Sequence, residues 1–255
     1  MQGSQLVSRI GAVLRRVGSG AAAGVTTAEV AAATGLPRST TQRVLAALAE
    51  EGFVDRDAVR GRWHLGPEMF LLGSVAAERY DVTSIARDIL RTLAEQSGES
   101  AFFSARRGDE TVCLAGAEGS FPLRSHVLHE GIRFPLGVAS AGLAILAYLP
   151  AADAREYARR RGGDLATAYG DSHDTASLMR RVTATRRRGY AVNPGLLVPG
   201  SWGIGAVVFD RSGSPAWALS LTGVESRFHG ARTAQLGALL LDAAHTLSQR
   251  IPRRD

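Results

Sequence analysis

The chain has no lysine. All 30 of its basic residues are arginine, and they stand against 24 acidic residues for a formal net charge of +6. Such a bias can reflect genome composition alone, so its weight lies in where the arginines stand. Cysteine is nearly absent as well. The single Cys113 excludes an internal disulfide, and without a CxxC or a close Cys/His pair there is no metal signature. Neither a metal nor a cofactor is expected, and a reducing, cytoplasmic setting fits. Long apolar runs are missing too. The most apolar stretch, Gly137 to Ala152, falls short of the roughly 20 residues of a membrane span and reads as a buried helix. Arg9, Arg15 and Arg16 interrupt what would be the apolar core of a signal peptide, so none is expected.

What is present is enough for a packed core and two domains: 255 residues, 45% hydrophobic and 21% charged. Near the N-terminus, Thr26-Thr27-Ala28-Glu29 has the form of a capping box, with Val25 placed to staple onto Val30. A helix therefore starts near Thr27 and is stopped by Gly35 and Pro37, where a second helix begins and runs to Gly52. Val44, Leu45 and Leu48 give that second helix an apolar face in its C-terminal half. Its N-terminal half instead presents Arg38, Ser39, Thr40, Thr41, Gln42 and Arg43, donors and acceptors suited to base edges and phosphates. Strand-like pieces at 53–56 and 62–65 read as a hairpin with Arg56, Arg60 and Arg62 at its tip, a wing placed to touch phosphates. An upstream amphipathic helix, Leu6 to Val17, with Leu6, Ile10, Val13 and Leu14 on one face, completes a three-helix core. Residues 1–66 hold eight arginines and five acids, only mildly cationic, so the order of elements argues for double-stranded operator DNA better than charge does.

The stretches LPRSTTQRVLAALAEEGFV, WHLGP, GIRFPLGVASAGLAILAYLP from Gly131, and RRRGYAVNPG with GIGAVVFDRSGSP from Arg186, resemble the IclR-type bacterial transcriptional regulators over nearly the whole chain. The resemblance implies a winged helix-turn-helix domain at 1–66, a linker helix at 67–80, and a GAF-like effector-binding domain at 81–252. It also implies dimers that often pair into tetramers, and repression of a catabolic operon as the common habit. Read by its own residues, 67–80 is too apolar for a free linker, with Met69, Phe70, Leu71, Leu72 and Val75, and asks for cover from a second protomer or from its own domain. Beyond it, helices at 83–98, 140–149, 151–161, 175–188 and from Ala231 mix with strands at 101–106, 111–115, 205–209 and 216–221 without a strict βαβ alternation. The fold class is therefore α+β.

Two segments suit a ligand. Small residues from Gly137 to Gly142 precede a helix whose first N–H groups can meet an anion. Asn193 to Gly205, rich in Gly and Pro, reads as a loop able to cover a cavity. By resemblance both line the effector pocket, Ser140 and Ala141 through backbone amides and Asn193, Gly203, Ser220 and Thr222 through positions that face ligand in the family. Val138, Leu143 and Trp202 are expected to add apolar surface. Relatives often carry an acid, a polar or thiol group, and Lys at the places of Asn193, Gly203 and Leu143. The expected effector is then a small organic acid or related carbonyl compound, aromatic ones included. The alternative of a metabolic enzyme with a basic helical accessory domain finds no support in motifs. The glycines from Gly18 to Gly24 follow a helix and not a strand, Cys113 has no orienting partners among His126 and His129, and Gly200-Ser201-Trp202-Gly203 lacks nucleophile-elbow spacing.

Overall fold

In a computed structural model of the chain, residues 2–77 and 82–251 are described. The chain divides into two compact units, Met1–Tyr80 and Asp81–Asp255. The first is built on three helices, α1 (Gln2–Gly18), α2 (Thr27–Thr34) and α3 (Arg38–Glu50), followed by the antiparallel pair β1 (Val54–Arg56) and β2 (Trp63–Leu65) and by α4 (Pro67–Ala77). The capping box forms: Thr26 Oγ1 accepts from Glu29 N at 3.2 Å, and Glu29 Oε2 accepts from Thr26 N at 2.7 Å. Gly35, in the left-handed region at φ +67°, ends α2, and three residues later α3 begins. Val13, Val17, Val25, Val30, Leu45, Leu48, Val54 and Trp63 close over one another as the core. One expectation fails here. Leu6 is 55% exposed, because the buried stripe of α1 is Ile10, Val13, Leu14 and Val17 and the helix extends a turn beyond what α2 and α3 can cover. The expected linker helix is observed as α4 over Pro67–Ala77, and positions 78–80 lie outside the described residues.

The second unit holds one six-stranded sheet, antiparallel throughout, in the order β5-β4-β3-β8-β7-β6. The strands are β3 (Ser100–Arg107), β4 (Glu110–Ala117), β5 (Arg133–Pro135), β6 (Ala191–Pro194), β7 (Ser201–Phe209) and β8 (Pro215–Val224). On one face lie α5 (Val82–Ser97) and α9 (Gly230–Arg250), burying Leu90, Leu93, Leu236 and Leu240 against Phe103, Ile204, Val208, Leu219 and Leu221. On the other lie α6 (Ser140–Tyr148), α7 (Ala151–Tyr169) and α8 (Thr175–Arg188), with α6 in the middle and buried from Ser140 to Ala147. This mixed α/β arrangement is that of a GAF-like domain.

Two sequence expectations are corrected. The helix expected to stop at Arg161 runs on to Tyr169, because Gly162 lies buried inside it against the start of α8 and breaks nothing. The stretch from Asn193 to Gly205 is mostly strand: Asn193 pairs with Gly203 and Pro194 with Trp202, leaving only 195–200 as a loop. Its glycines serve close approach. A Cβ on Gly205 would lie 2.5 Å from the carbonyl oxygen of Ser140, so the glycine is what lets α6 rest directly on β7.

Candidate functional site

Helix α3 is divided along its length as its sequence suggests. Arg38, Ser39, Gln42 and Arg43 are exposed on one side of its first two turns, while Leu45 and Leu48 are buried in the core. Thr40 is half-buried. Thr41 does not belong with the exposed set. It is fully buried and donates its hydroxyl to Pro37 O at 3.2 Å, because position 41 falls on the same helical stripe as Leu45 and Leu48. Gln42 reaches back to the preceding helix, its Oε1 accepting from Thr27 Oγ1 at 3.1 Å, and Thr27 Oγ1 in turn accepts from Trp63 Nε1 at 3.0 Å. This chain of bonds fixes α3 relative to α2 and to the strand that carries the wing.

The wing turn is held by Asp57, whose Oδ1 accepts from Val59 N at 2.8 Å and Arg60 N at 3.0 Å. Those backbone bonds draw the Asp57 carboxyl below its usual range. Arg60 is exposed at the tip, and the Arg56 guanidinium sits 5.6 Å from the centre of the Trp63 ring, steadied but still exposed. Arg62 departs from the expected set. It is half-buried, its Nη1 donates to Gly24 O at 3.0 Å, and Glu29 lies 3.7 Å away, so its head braces the wing against α2.

In the second unit the expected pocket residues separate. Ser140, Asn193, Gly203 and Thr222 do converge, but on a crevice of about 20 Å³, room for little more than one water-sized group. Val138, Leu143 and Ser220 are fully or nearly fully buried and line neither this crevice nor the larger cavity beside it. Leu143 packs among α7 and α8 side chains, and Val138 O accepts from Asn193 Nδ2 at 2.8 Å. The Ala141 amide is closed off as well, since a Cβ on Gly205 would sit 2.9 Å from it. Trp202 borders the crevice too, as expected, but its ring points away. Side chains alternate along β7, so with Gly203 and Gly205 turned toward α6, Trp202 falls on the α9 layer, 5.8 Å from the His229 ring. Asn193 itself is committed to structure, its Oδ1 accepting from Leu196 N at 3.0 Å.

The room for a ligand lies immediately beside the crevice, in a cavity of about 720 Å³. Phe134, Tyr169, Leu197, Val198 and Val224 give it apolar walls, and Arg124 and His126 bring cationic and titratable groups to its edge. Val127, Leu197 and Ser201 border both spaces, and Ser125 Oγ and Ser201 Oγ, 2.6 Å apart, tie the segment after β4 to β7 across the rim. Arg124 is exposed and ion-paired with Glu118. The sequence carried one sign of this wall, the Leu-Leu-Val-Pro run within the glycine-rich stretch. Nothing in the spacing of 124–127, 134 and 169 announces that they meet. Cys113 is remote from such chemistry: burial pushes its thiol up to about 12.

A winged helix-turn-helix in one unit and a helix-flanked antiparallel sheet with an open cavity in the other define a DNA-binding transcriptional regulator with a ligand-sensing domain. The chain belongs to the IclR family. Residues 6–58 match the IclR helix-turn-helix domain, and residues 74–249 match the bacterial transcriptional regulator IclR C-terminal domain. It is similar to the HTH-type transcriptional regulator BhcR of Paracoccus denitrificans, 32% identical over 237 residues that cover 91% of this chain and 83% of that protein. It is 28% identical to the transcriptional repressor IclR of Escherichia coli over 85% of this chain and 79% of that one. The crystal structure of an IclR transcriptional regulator from Alicyclobacillus acidocaldarius superposes with a TM-score of 0.76 at 28% identity, covering 95% of this chain and 97% of the other. These relatives are transcriptional regulators rather than enzymes. No helix among the described residues is long and apolar enough to cross a membrane.

Proposed function

We propose that this regulator is a cytoplasmic repressor of a catabolic operon that binds a near-palindromic operator as a homodimer or a dimer of dimers and is released by a small organic acid. The observation that carries the DNA half is the exposed cluster Arg38, Ser39, Gln42 and Arg43 on a helix whose other end is fixed in the core. A bidentate arginine reads guanine, and a rigid helix is what brings it to the groove edge. Arg56 and Arg60 take the phosphates, a task that needs charge without fixed register. The dimer follows from the uncovered apolar side chains of α4 and from the few base pairs that a single winged unit can read.

The effector half rests on the cavity. Its volume lies within the range of pockets for small ligands, its walls are apolar, and its rim carries Arg124 and His126. Such a space suits a carboxylic acid with an aromatic or branched body, the acid toward Arg124 and the body toward Phe134, Tyr169 and Val224. Moving the protein from mostly DNA-bound to mostly free requires the acid to prefer one arrangement of the dimer over the other by about 5.5 kcal/mol.

The test joins both halves. A gel shift with the DNA upstream of neighbouring genes is repeated in the presence of aromatic and aliphatic acids, first screened by calorimetry. Val198→Trp, which fills the cavity from an exposed wall position, is expected to keep operator binding and lose the response. A response that is equal in that folded variant and in wild type puts the effector elsewhere, and failure to bind any upstream DNA removes the repressor reading.

A further inference from the structure

The arginines of α8 belong to neither the DNA surface nor the effector cavity. Helical spacing brings Ser177, Arg180, Arg181, Ala184 and Arg188 to one side of α8, and that side faces the edge strand β6 across a cavity of about 420 Å³. Val192, Pro194 and Leu196 form the opposite wall, and no carboxylate lines the space. Arg180, Arg181 and Arg188 form no ion pair within 4 Å among the described residues. The nearby Asp174 is already engaged: its Oδ1 accepts from Ser177 N at 2.6 Å to cap the helix, and it shares the field of Arg180. Arg186, by contrast, has a structural task, donating to Ala147 O and Leu149 O.

Arg181 is the unusual member. Its Nη1 donates to Ser172 O at 3.4 Å, but Nε and Nη2 are buried and no group among the described residues accepts from them. Those two nitrogens form one edge of the guanidinium fork, the edge that takes both oxygens of a carboxylate or phosphoryl group. The neighbouring His173 supplies no counter-charge. Its Nδ1 faces Tyr169 O at 3.0 Å, and burial together with Arg181 holds the imidazole below its usual range. Burial also draws Arg181 down to about 10, as befits a cation that has lost water and gained no anion.

We propose that the cavity between α8 and β6 is a second ligand site, one for a small oxyanion, in which Arg181, a wall residue whose Nε and Nη2 have no acceptor among the described residues, turns its guanidinium to a carboxylate or phosphoryl group and Arg180 and Arg188 attract it. Ser177 Oγ accepts from Arg180 Nη2 at 2.9 Å and keeps its own proton for the guest. The site lies on the back of β6. Val192 and Pro194 face it, while Asn193 between them faces the crevice beside the effector cavity. Nothing in the assignment depends on what the effector cavity holds.

The test is calorimetric titration of the full chain with inorganic phosphate and, separately, with succinate, each against sodium chloride at matched ionic strength. Binding of one anion per chain is expected, and which of the two binds tighter identifies phosphoryl or carboxylate as the natural source. Arg181→Gln should weaken it by about tenfold or more. Arg188→Gln, at the exposed rim where folding is not at stake, should weaken it several-fold, and Arg187→Gln, on the same helix but outside the cavity wall, should leave it unchanged. Heats no greater than the chloride blank for both anions overturn the proposal. So does binding that is indifferent to Arg181→Gln and Arg188→Gln, or equally sensitive to Arg187→Gln.

Discussion

Helices α4 and α6 are alike in sequence and opposite in circumstance. Both are apolar all round, with no polar stripe to turn toward water. Helix α6 is buried from Ser140 to Ala147, sandwiched between the sheet and α7 and α8. Helix α4 leaves Phe70 75% exposed and Val75 70% exposed, with Leu71 and Leu72 also open. An apolar helix with no wet side is stable only when covered, and an exposed patch of this kind marks an interaction surface. Composition therefore reports the need for cover without saying who provides it. For α6 the cover is its own domain, and for α4 the dimer proposed above would supply it from a second copy of the same helix.

Charge placed on α4 should have the largest effect. Leu71→Asp with Val75→Asp should convert the protein to a monomer and lower operator affinity by about a thousandfold or more, since the two half-sites are no longer linked. Sedimentation and a gel shift on the same sample decide it. A dimer that survives both charges means that α4 is covered by something else.

The second test sets equal truncations side by side. Leu146→Ala in α6 should cost about 2–5 kcal/mol of unfolding free energy, the usual range for a buried leucine that leaves a cavity. Leu72→Ala in α4 should cost less than about 0.5 kcal/mol in urea unfolding of dilute protein. A concentration-dependent midpoint in wild type but not in the α4 charge variant would sharpen the contrast further.

These helices also show how far the sequence could be read. Apolar content and capping signals show most of the helices and the hairpin of the first unit, because those depend on neighbours within a few residues. Thr41 looks like a reader in sequence because its hydroxyl stands beside Ser39 and Thr40, and only its register with Leu45 and Leu48 puts it in the core. The effector side was less legible for a related reason. The glycines of Asn193 to Gly205 suggest a loop, whereas Gly203 and Gly205 are small so that α6 can lie on β7. Arg124, Phe134, Tyr169 and Val224 meet in one cavity only after the whole sheet has formed. Such a juxtaposition has no local spacing to betray it.

Helix α3 contains both circumstances in one element, and its exposed residues are expected to have smaller effects on binding. Arg38→Ala and Arg43→Ala should each cost about 1–3 kcal/mol of operator affinity, with relaxed preference at one base pair. Arg60→Ala should weaken binding to all sequences alike and lower the salt slope by about 1. Unchanged affinity in the folded Arg38, Arg43 double variant removes α3 as the reading helix.

The smallest effect concerns the unit that carries α4. Its fold depends in part on titratable hydrogen bonds, whereas α6 contains no carboxyl or histidine at all. Backbone and hydroxyl donors of Thr26 draw the Glu29 carboxyl below its ordinary range, and Arg60 and Val59 N–H groups do the same to Asp57. A carboxyl whose folded value is depressed binds its proton more readily in the unfolded chain. Its contribution is therefore complete above the ordinary carboxylate range and is lost as pH falls through the depressed value. Acid should loosen α2 and the wing turn, and with the same sign the cap of α8, where Ser177 N–H draws Asp174 below its ordinary range, while α6 itself loses no titrating partner of its own. Thr26→Ala, which removes the cap, should cost about 1 kcal/mol near neutrality. Glu29→Gln should flatten the acid limb of the winged unit's melting profile. Amide hydrogen exchange followed separately in α2 and α6 as pH is lowered reads both units in one sample. Equal loosening of the two helices would mean that the titrating groups lie elsewhere and that the capping box does not set the acid response.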